Sequence, residues 1–404
     1  MQAKIVNDPV HGFISIPKGI LLDLVEHRYF QRLRRIAQVS LTHYVYPGAI
    51  HTRFHHALGA MHLMNQALTQ LRAKGVDISE EEFLAAKQAI LLHDIGHGPF
   101  SHTLENSLIS ISHEQLSLLF MEKLNEEFGG ALTLAIRIFK GDYPRPFLHQ
   151  LISGQLDMDR MDYLSRDSYF TGVYEGVIGY DRIIKMLDVR DEELVVEEKG
   201  IYSIEKFLMA RRLMYWQVYL HKTVLASELM LIRALQRAGT LYQSGQHPPL
   251  AGALAPFLER AITKEDFLKE RHRWLEAFAR LDDIDVLYAL KQFAEHEDFL
   301  LSFLSRSLIE RRLFKLQFSS SPFGKQRIER ETAQLSSKLG ISREQASELI
   351  FHGSESNKEY DLKAGEIKIL LKSGKILPFS ESLGYEIQPK LIRKHYLCLP
   401  KTSH

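Results

Sequence analysis

Apolar residues recur at helical spacing over much of the chain. Directly after a histidine-rich stretch, Leu58, Met61, Met64, Leu68 and Leu71 follow a period close to that of an α-helix. Polar residues occupy most of the positions between them. The pattern predicts an amphipathic helix that turns one apolar stripe toward a core.

A second helix is predicted over residues 80–93. Ser79 is a favoured N-cap residue, and the acidic run at 80–82 complements the positive end of the helix dipole. The same kind of periodicity predicts further helices, over residues 113–140 (one or two helices), 149–170, 203–240 (starting at Ser203), 263–279, 282–313, 326–339 and 342–351.

Strand signals are fewer and shorter. Residues 188–202 are predicted to form a hairpin that turns at Lys199-Gly200, and residues 367–377 to form two short strands that turn at Ser373-Gly374. The fold class is therefore mainly α, with a small α+β region at the C-terminal end.

One segment has the composition of a linker. Residues 317–324 contain Ser319-Ser320-Ser321-Pro322, and this run predicts a boundary between a body at 1–316 and an α+β region at 325–404. Within the body, the motifs described below lie in residues 4–225, and residues 226–316 form a helical extension.

Composition narrows the class of protein. The 404 residues are 45% hydrophobic and 25% charged, and 51 Lys+Arg balance 50 Asp+Glu to a formal charge of +1. Such a balance gives no global signal for binding a polyanion. A single cysteine, Cys398, excludes internal disulfides and fits a reducing compartment. No signal-peptide core and no membrane-length apolar run is present, so a soluble cytoplasmic protein without a membrane partner is expected.

Histidine is concentrated in one part of the chain. Nine of the nineteen histidines lie between His43 and His113. His93-Asp94 ends the predicted helix at 80–93, and two further histidines follow in the Gly-rich turn. A structural protein has little reason to cluster imidazoles, which serve as metal ligands and as acids or bases near neutral pH.

These residues could form a metal site. His56, the His93-Asp94 pair and Asp159 fall on three predicted helices, and a helical bundle can bring such ligands together in its interior. Taken singly, a histidine is more often structural, and an aspartate beside an arginine is more often an ion pair. The joint pattern favours a mixed imidazole and carboxylate shell for a divalent metal.

Several motifs, in this order, resemble one family. The segment His93-Asp94-Ile95-Gly96-His97-Gly98-Pro99-Phe100-Ser101-His102 resembles the signature of HD-domain phosphohydrolases, in the deoxynucleoside triphosphate triphosphohydrolase (dNTPase, dGTPase) branch. Further matching segments are found at residues 7–12, 30–34, 46–49, 51–56, 113–115 and 157–163. The resemblance covers about residues 4–225.

The resemblance implies an HD-domain helical bundle and a metal-dependent activity. In that family, water attacks the α-phosphorus of a deoxynucleoside triphosphate, and the products are a deoxynucleoside and tripolyphosphate. The implied metal ligands are His56, His93, Asp94 and Asp159. Their chemistry leaves Mg²⁺, Mn²⁺, Fe²⁺ and Zn²⁺ open.

Substrate contacts are implied as well. A triphosphate carries about four negative charges, so its site needs fixed cations besides a metal. By resemblance, the phosphate contacts are Arg53, Arg160, Tyr163 and Arg211. Some relatives have lysine where this chain has Arg160, and the two cations differ in geometry. The residues implied around the deoxyribose are Gln38, Asp167 and Tyr219. On the predicted helix at 203–240, Arg211, Tyr215, Tyr219 and Lys222 share one stripe.

The proton donor is assigned to a histidine. His102 is the first candidate, with His97 and His113 in support, because an imidazole suits proton transfer to a leaving oxygen. Glu105 lies within helical reach of this group and could orient or charge-stabilise an imidazole. The alternative is that one or two of these histidines only hydrogen-bond the turn.

A second nucleotide site is suggested at the N-terminal motifs. Asn7, Asp8, Gln31 and Arg34 resemble the effector site of regulated family members, in which a nucleotide bridges subunits. Such a site would imply a homo-oligomer, either a dimer or a tetramer. Asn-Asp-Pro is also a common turn, and Arg34 could be a surface residue.

Two other functions stay open. A phosphodiesterase or nucleotidase could use the same metal cage, although a single phosphate needs fewer cations than Arg53, Arg160 and Arg211 offer. A non-catalytic nucleotide sensor or nucleic-acid binder is the third possibility. The near-zero net charge does not support nucleic-acid binding, and only the local run Arg32-Leu33-Arg34-Arg35 keeps that alternative open.

Overall fold

The structure is a computed structural model, and it describes residues 3–105, 109–246, 248–249, 252–260, 262–357, 366–382 and 392–401. Helices dominate these residues, so the predicted fold class is confirmed. The chain starts with an antiparallel hairpin of β1 (Ala3–Asp8) and β2 (Gly12–Pro17). No described helix is both long and apolar enough to cross a membrane.

The metal-site motifs lie on the helices of the body. These are α1 (Ile20–Glu26), α2 (Arg28–Gln31), α3 (Arg53–Ala73), α4 (Glu80–Leu92), α5 (His113–Glu127), α6 (Thr133–Lys140), α7 (Pro146–Gln150), α8 (Met158–Thr171), α9 (Tyr180–Met186), α10 (Ile201–Met214) and α11 (Lys222–Gln243). Helix α3 packs against both α4 and α8. Its buried face includes Leu58, Met61, Met64, Leu68 and Leu71, as the apolar spacing predicts.

Helix α4 starts as predicted. The Ser79 side chain accepts the N–H of Glu82, and the Glu82 carboxylate accepts the N–H of Ser79. This capping box satisfies two of the free N–H groups at the helix start. The helix ends at Leu92, with His93 as its C-cap residue. The buried end of α4 therefore fixes where the His93-Asp94 pair lies.

The predicted hairpin around Lys199-Gly200 is wrong. The observed hairpin pairs β3 (Leu187–Arg190) with β4 (Glu193–Glu197) and turns at Asp191 and Glu192, which adopt φ of 52° and 60°. Neither residue is glycine, so the turn has no strong sequence signal. Residues 201–202, predicted as a strand, instead begin α10.

The predicted long helix over 203–240 is interrupted. A π-helical turn at Tyr215–Tyr219 follows α10, and His221 then adopts an extended conformation and caps α11 through its side chain. Arg211, Tyr215, Tyr219 and Lys222 therefore do not form one continuous helical stripe. The 149–170 prediction is also split, between α7 and α8.

The helical extension contains shorter helices than predicted. They are α12 (Ala255–Glu259), α13 (Lys264–Lys269), α14 (Arg271–Arg280), α15 (Asp283–Phe293) and α16 (Phe299–Ile309). The last two share many contacts, and α16 packs on α11. Capping side chains of Thr263, Asp282 and Asp298 start three of the five helices.

The C-terminal region is α+β, as predicted. It contains β5 (Lys315–Ser319), α17 (Lys325–Leu339), α18 (Arg343–Glu348), β6 (Phe351–Asn357), β7 (Lys368–Leu370), β8 (Ile376–Pro378), α19 (Phe379–Ser382) and β9 (Ile392–Leu399). One sheet has the order β5-β9-β6 and another the order β3-β4-β7-β8. The predicted strands at 367–377 correspond to the β7-β8 hairpin.

The predicted linker starts within a strand. Residues 317–319 belong to β5, which pairs with β9 about 80 residues later. A partner so distant in sequence leaves no local signal. In addition, β7 extends the β3-β4 hairpin, so strands of the body and of the C-terminal region share a sheet. The limits 1–316 and 325–404 stay a prediction.

Candidate active site

Four predicted metal ligands meet where α3, α4 and α8 come together. The Nε2 atom of His56 lies 3.4 Å from Nε2 of His93 and 3.1 Å from Oδ1 of Asp159. The Nε2 atom of His93 lies 3.4 Å from the same Asp159 oxygen and 3.3 Å from Oδ1 of Asp94. Ligands that share an ion at about 2.0–2.2 Å are separated by roughly these distances. The donor atoms of His56, His93 and Asp159 therefore fit a single divalent ion, whereas Asp94, beside His93, belongs to a second group of possible ligands with His97 and His113.

The orientation of both imidazoles supports the same conclusion. Nδ1 of His93 lies 2.6 Å from the carbonyl oxygen of Ile90 and must donate to it. Nδ1 of His56 lies 2.8 Å from Oδ2 of Asp162. With Nδ1 donating, each neutral ring turns an Nε2 lone pair toward the shared centre. Such outer hydrogen bonds are the usual way in which proteins orient metal-bound histidines.

The charges around the centre favour a cation. Burial lowers the pKa of His56, but the carboxylates of Asp159 and Asp162 outweigh it and raise that pKa to about 10. Burial opposes ionisation of Asp159, yet its hydrogen bonds with the two imidazoles hold its pKa far below the ordinary value. The site thus stabilises positive charge where the four side chains meet, and a divalent metal would supply it.

A buried ionic network lies behind the metal centre. Arg166 donates to both oxygens of Asp162 at 2.9 Å and to Asp8 at 2.7 Å, and its side chain is fully buried. His11 adds a contact of 2.7 Å to Asp162. The sequence analysis missed the role of Asp162, although its position one helical turn from Asp159 and from Arg166 was a usable signal.

Gly59 makes room for this network. A Cβ atom on Gly59 would lie 1.9 Å from Oδ1 of Asp162 and 2.3 Å from Nη2 of Arg166. Helices α3 and α8 can therefore approach closely enough to bring His56 and Asp159 together only because this residue has no side chain.

Arg53 reaches the metal centre from the first turn of α3. Its guanidinium binds the carboxylate of Asp94, and its Nε donates to Oγ of Ser101 at 2.8 Å. Burial would raise the pKa of Asp94, but His93 and Arg53 hold it well below its usual range. Arg53 thus lies beside the candidate metal ligands.

Two of the predicted acid–base histidines lie next to each other. The rings of His97 and His113 stack with centroids 4.0 Å apart. Nδ1 of His113 lies 2.9 Å from Glu105, so Glu105 orients His113. Nε2 of His97 lies 3.3 Å from Asp94, while burial and Arg53 hold the pKa of His97 well below its ordinary value. The side chain of His102 lies outside the described part of the chain.

The residues predicted around the sugar form a hydrogen-bonded chain. The Tyr219 hydroxyl donates to Oδ2 of Asp167 at 2.7 Å, and Nε2 of His51 lies 2.7 Å from Oδ1. Gln38 is joined to this group because its N–H donates to the carbonyl of His51. The sequence analysis counted His51 in the histidine cluster but gave it no role.

Two polar atoms in this group are buried without a partner among the described residues. They are Oε1 of Gln38 and Nδ1 of His51. Buried polar atoms are nearly always hydrogen-bonded, so an unsatisfied pair beside a candidate active site indicates a place for a polar ligand.

The other predicted phosphate contacts lie on α8 and α10. Arg160 binds the carboxylate of Asp157 and the carbonyl of Gly154. Arg211 lies 3.4 Å from Oε1 of Gln155. The Tyr163 ring lies 6.5 Å from that of His56 and 6.3 Å from that of Tyr219, so it connects the metal centre to the sugar group. Burial raises the pKa of Tyr163 to about 12, which keeps its hydroxyl neutral.

The four predicted effector residues lie in two places. Asn7 is exposed on β1, and the Asp8 carboxylate accepts the N–H groups of Val10 and His11 besides Arg166. Nε of Arg34 donates to Gln31, and its guanidinium stacks 3.6 Å from the ring centre of Phe54. An effector nucleotide at these residues stays a prediction.

Comparison with known proteins agrees with this site. A model of the HD domain matches residues 53–167, and a model of the HD associated region matches residues 178–245. The first contains every predicted metal ligand. The fold and the cluster thus define an HD-domain protein.

Individual relatives extend the match to the whole chain. The uncharacterized protein YwfO of Bacillus subtilis is 32% identical over 99% of this chain and 93% of its own length. A phosphohydrolase from Bacteroides thetaiotaomicron of known crystal structure is 51% identical, with a TM-score of 0.96 over 99% of this chain and 100% of that one. The chain belongs to the HD-domain phosphohydrolase family, as the motifs predict.

More distant relatives carry a name that describes an activity. Human deoxynucleoside triphosphate triphosphohydrolase SAMHD1 is 27% identical over 81% of this chain, and the Dictyostelium discoideum homolog is 30% identical over 59% of it. The matches span 57% and 50% of those proteins. The chain therefore resembles the SAMHD1-like branch of the family.

Proposed function

We propose that this protein hydrolyses deoxynucleoside triphosphates to deoxynucleosides and tripolyphosphate. The observation that carries the proposal is that the candidate metal ligands and the residues predicted around the sugar form one continuous site. A metal centre with Arg53 on it is joined through Tyr163 to the Tyr219–Asp167–His51 chain, where two buried polar atoms lack partners. A polyphosphate at one end and a sugar at the other match these two parts. The names of the SAMHD1 relatives agree with this assignment.

The cations favour a polyphosphate over a single phosphate. Arg53 contacts the candidate ligand Asp94, Arg160 follows the candidate ligand Asp159 on α8, and Arg211 lies on α10; each contacts a protein oxygen. A bound triphosphate would offer further charged acceptors to the same guanidinium groups. A single phosphate group needs fewer cations than these three arginines supply. This is the argument against a phosphodiesterase or nucleotidase acting on monophosphates.

The residues at the centre divide the chemical work. A divalent ion held by His56, His93, Asp94 and Asp159 would supply Lewis-acid chemistry at the phosphate and activate water. Arg53 holds the phosphate charge in place. Proton transfer to the departing 5′ oxygen falls to the histidine group. His113 is suited to this step because Glu105 fixes the orientation of its ring through Nδ1.

Intact catalytic groups argue against a purely binding role. A sensor or nucleic-acid binder needs neither the oriented imidazoles of His56 and His93 nor the Glu105–His113 pair. An effector nucleotide at Asn7, Asp8, Gln31 and Arg34, and an oligomer built around it, belong to the same proposal. Turnover that occurs only when several dNTPs are present together would indicate such an effector site.

The test is product analysis in ¹⁸O-labelled water. The protein is incubated with each dNTP singly and with all four together, in Mg²⁺ or Mn²⁺. Attack at the α-phosphorus puts one ¹⁸O into tripolyphosphate and none into the deoxynucleoside. His93→Ala should abolish turnover. His149→Ala is the matched control, because its Nδ1 also contacts a backbone carbonyl, at Ile138, but outside the cluster.

Each outcome has a clear meaning. Labelled tripolyphosphate establishes the reaction, and turnover only in mixtures adds the effector site. Orthophosphate or pyrophosphate would place the cleavage at another bond and reject the proposal. Hydrolysis of cyclic or monophosphate nucleotides, without dNTP turnover, would establish the phosphodiesterase alternative.

A further inference from the structure

The loop that follows the metal ligands has a strained backbone. Phe100 and Ser101 adopt φ of 52° and 51°, in the left-handed region that bulky residues rarely occupy. Both residues are buried, and they separate His97 from His102 in the sequence. Two such residues in a row cost free energy, so surrounding contacts must hold them in place.

A carboxylate from the helical extension holds this loop. Oδ1 of Asp283 accepts the N–H of Phe100 at 2.7 Å. Its Oδ2 accepts the N–H of Ala37 at 2.8 Å. Asp283 is the first residue of α15 and lies outside both matched family regions. One buried side chain thus joins the loop after the metal ligands to the residue before Gln38.

Arg32 and Arg35 make further contacts between the residues at the start of α15 and these two backbone segments. The fully buried Arg32 donates to the carbonyl of Ile95 at 2.8 Å and to that of Leu281 at 3.3 Å. Arg35 binds the carboxylate of Asp282. The segment 281–283 is therefore anchored on residues 32–37 and on the loop that begins after Asp94.

Ser101 hydrogen-bonds both Arg53 and the backbone of Ala37. Its Oγ accepts from Nε of Arg53 and donates to the carbonyl of Ala37 at 2.8 Å. Since Asp283 binds the N–H of Ala37, residue 37 is held at both backbone groups. A shift of Asp283 would move Ala37, Phe100 and Ser101 together, and with them the contact of Arg53.

The free-energy cost of this carboxylate supports a functional role. Asp283 is 8% exposed, and burial raises its pKa to about 7 despite the two backbone donors. The charge of Asp282 also raises the pKa of Asp283, whereas the charge of Arg53 lowers it. An ionised carboxylate here thus costs stability at neutral pH. Carboxylates with a strongly raised pKa are concentrated at functional sites.

We propose that Asp283 is a positioning residue, whose carboxylate holds the strained Phe100–Ser101 backbone and the Ala37–Gln38 backbone in the arrangement that the reaction requires. The proposal assigns a role in the active site to the helical extension. It rests on the proposed function for its kinetic effect, but the contact itself can be tested without any substrate.

The variant Asp283→Asn tests it. The amide nitrogen cannot accept a hydrogen bond, so one of the two N–H groups loses its acceptor. The expected kcat for dNTP hydrolysis falls on the order of tenfold to a hundredfold, while KM changes less than about threefold. Asp285→Asn is the control, because Asp285 caps the same helix through the N–H of Asp282.

Hydrogen exchange measured by mass spectrometry supplies the readout that needs no activity. In Asp283→Asn, a peptide spanning residues 96–105 should exchange at least about tenfold faster, with the helices of the body unchanged. In Asp285→Asn that peptide should exchange as in the wild type. If Asp283→Asn fails to fold, Asp283→Glu keeps the charge and shifts it by one methylene, and the same local acceleration is expected.

The outcomes separate this proposal from the proposed function. If Asp283→Asn shows the local acceleration but the wild-type protein hydrolyses no dNTP, the positioning role is kept and the proposed substrate is rejected. An unchanged loop in Asp283→Asn, or acceleration spread evenly over the protein, would overturn the positioning role. Wild-type kcat in Asp283→Asn would also overturn it, even if dNTP hydrolysis is confirmed.

Discussion

The carboxylate of Asp162 accepts a hydrogen bond from Nδ1 of the His56 imidazole. Its Oδ2 lies 2.8 Å from Nδ1 of His56, and both side chains are fully buried. Arg166 and His11 keep the carboxylate ionised, since its pKa lies well below the ordinary value although burial opposes ionisation. A permanent anion at Nδ1 makes Nε2 of His56 a stronger metal ligand and fixes its direction.

Removing this charge should weaken metal binding. In Asp162→Asn, we expect the affinity for Mn²⁺ to fall about 10- to 100-fold, the usual effect of losing such an outer hydrogen bond. Isothermal titration calorimetry on protein stripped of metal measures it. The control Asp181→Asn changes an exposed aspartate on α9. Equal affinity in the wild type and Asp162→Asn would show that Asp162 only supports the fold.

Gly59 should tolerate no side chain. Because its Cβ would lie 1.9 Å from Asp162, Gly59→Ala must displace either that carboxylate or helix α3. We expect a loss of about 3 kcal/mol in the free energy of unfolding and a lower metal content. Urea denaturation and elemental analysis measure the two effects.

A second glycine provides the control for this change. Gly239 lies inside α11, and a Cβ there would meet its nearest neighbour at an ordinary 3.7 Å. Gly239→Ala should therefore stabilise the protein by about 0.5 kcal/mol through helix propensity. If both variants behave alike, the close approach of α3 and α8 is not what requires glycine at position 59.

The residues that the sequence analysis proposed as metal ligands lie close together in the structure, and the signals that pointed to them are local. His93 and Asp94 are adjacent, Arg53 and His56 lie one helical turn apart, and Asp159 is part of a short motif. The Ser79 cap likewise gave α4 close to its observed bounds, and the apolar spacing from Leu58 to Leu71 lies within α3. Patterns that span a few residues can be recognised in a single chain.

The missed features depend on contacts between distant residues. His11 and Asp162 are 151 positions apart, Ala37 and Asp283 are 246 apart, and β5 pairs with a strand about 80 residues later. Nothing near Asp283 in the sequence distinguishes it from an ordinary helix-start aspartate. Its role becomes visible only when the chain folds and places it beside Ala37 and Phe100.

Tyr219 should exclude ribonucleotides by the bulk of its ring. If so, Tyr219→Phe keeps the preference for dNTP over rNTP, because the ring stays. It should still lose about 1 kcal/mol of stability, since the buried Asp167 loses the donor at its Oδ2 and keeps only His51 at Oδ1. Tyr219→Ala should reduce the ratio of kcat/KM for dNTP over rNTP about 10- to 100-fold. A loss of preference in Tyr219→Phe would instead assign discrimination to the hydroxyl.

An ion pair between α2 and α14 should make stability depend on pH. Arg28 donates to both oxygens of Glu276, at 2.8 and 2.7 Å, and these bonds lower the pKa of Glu276 from 4.5 to about 2. The folded-state pKa lies below the unfolded one. The stabilisation is therefore complete above pH 4.5 and is lost as the pH falls toward 2.

Glu276→Gln tests this pair. At about pH 7 the variant should be less stable by about 1 kcal/mol, a modest value because Arg28 is more than half exposed and its charge is screened by water. The difference from the wild type should shrink as the pH is lowered through 4.5 and should be smaller in high salt. Urea denaturation across this range measures it. A difference that stays constant with pH would assign the effect to the hydrogen bond from Tyr29 rather than to the charge.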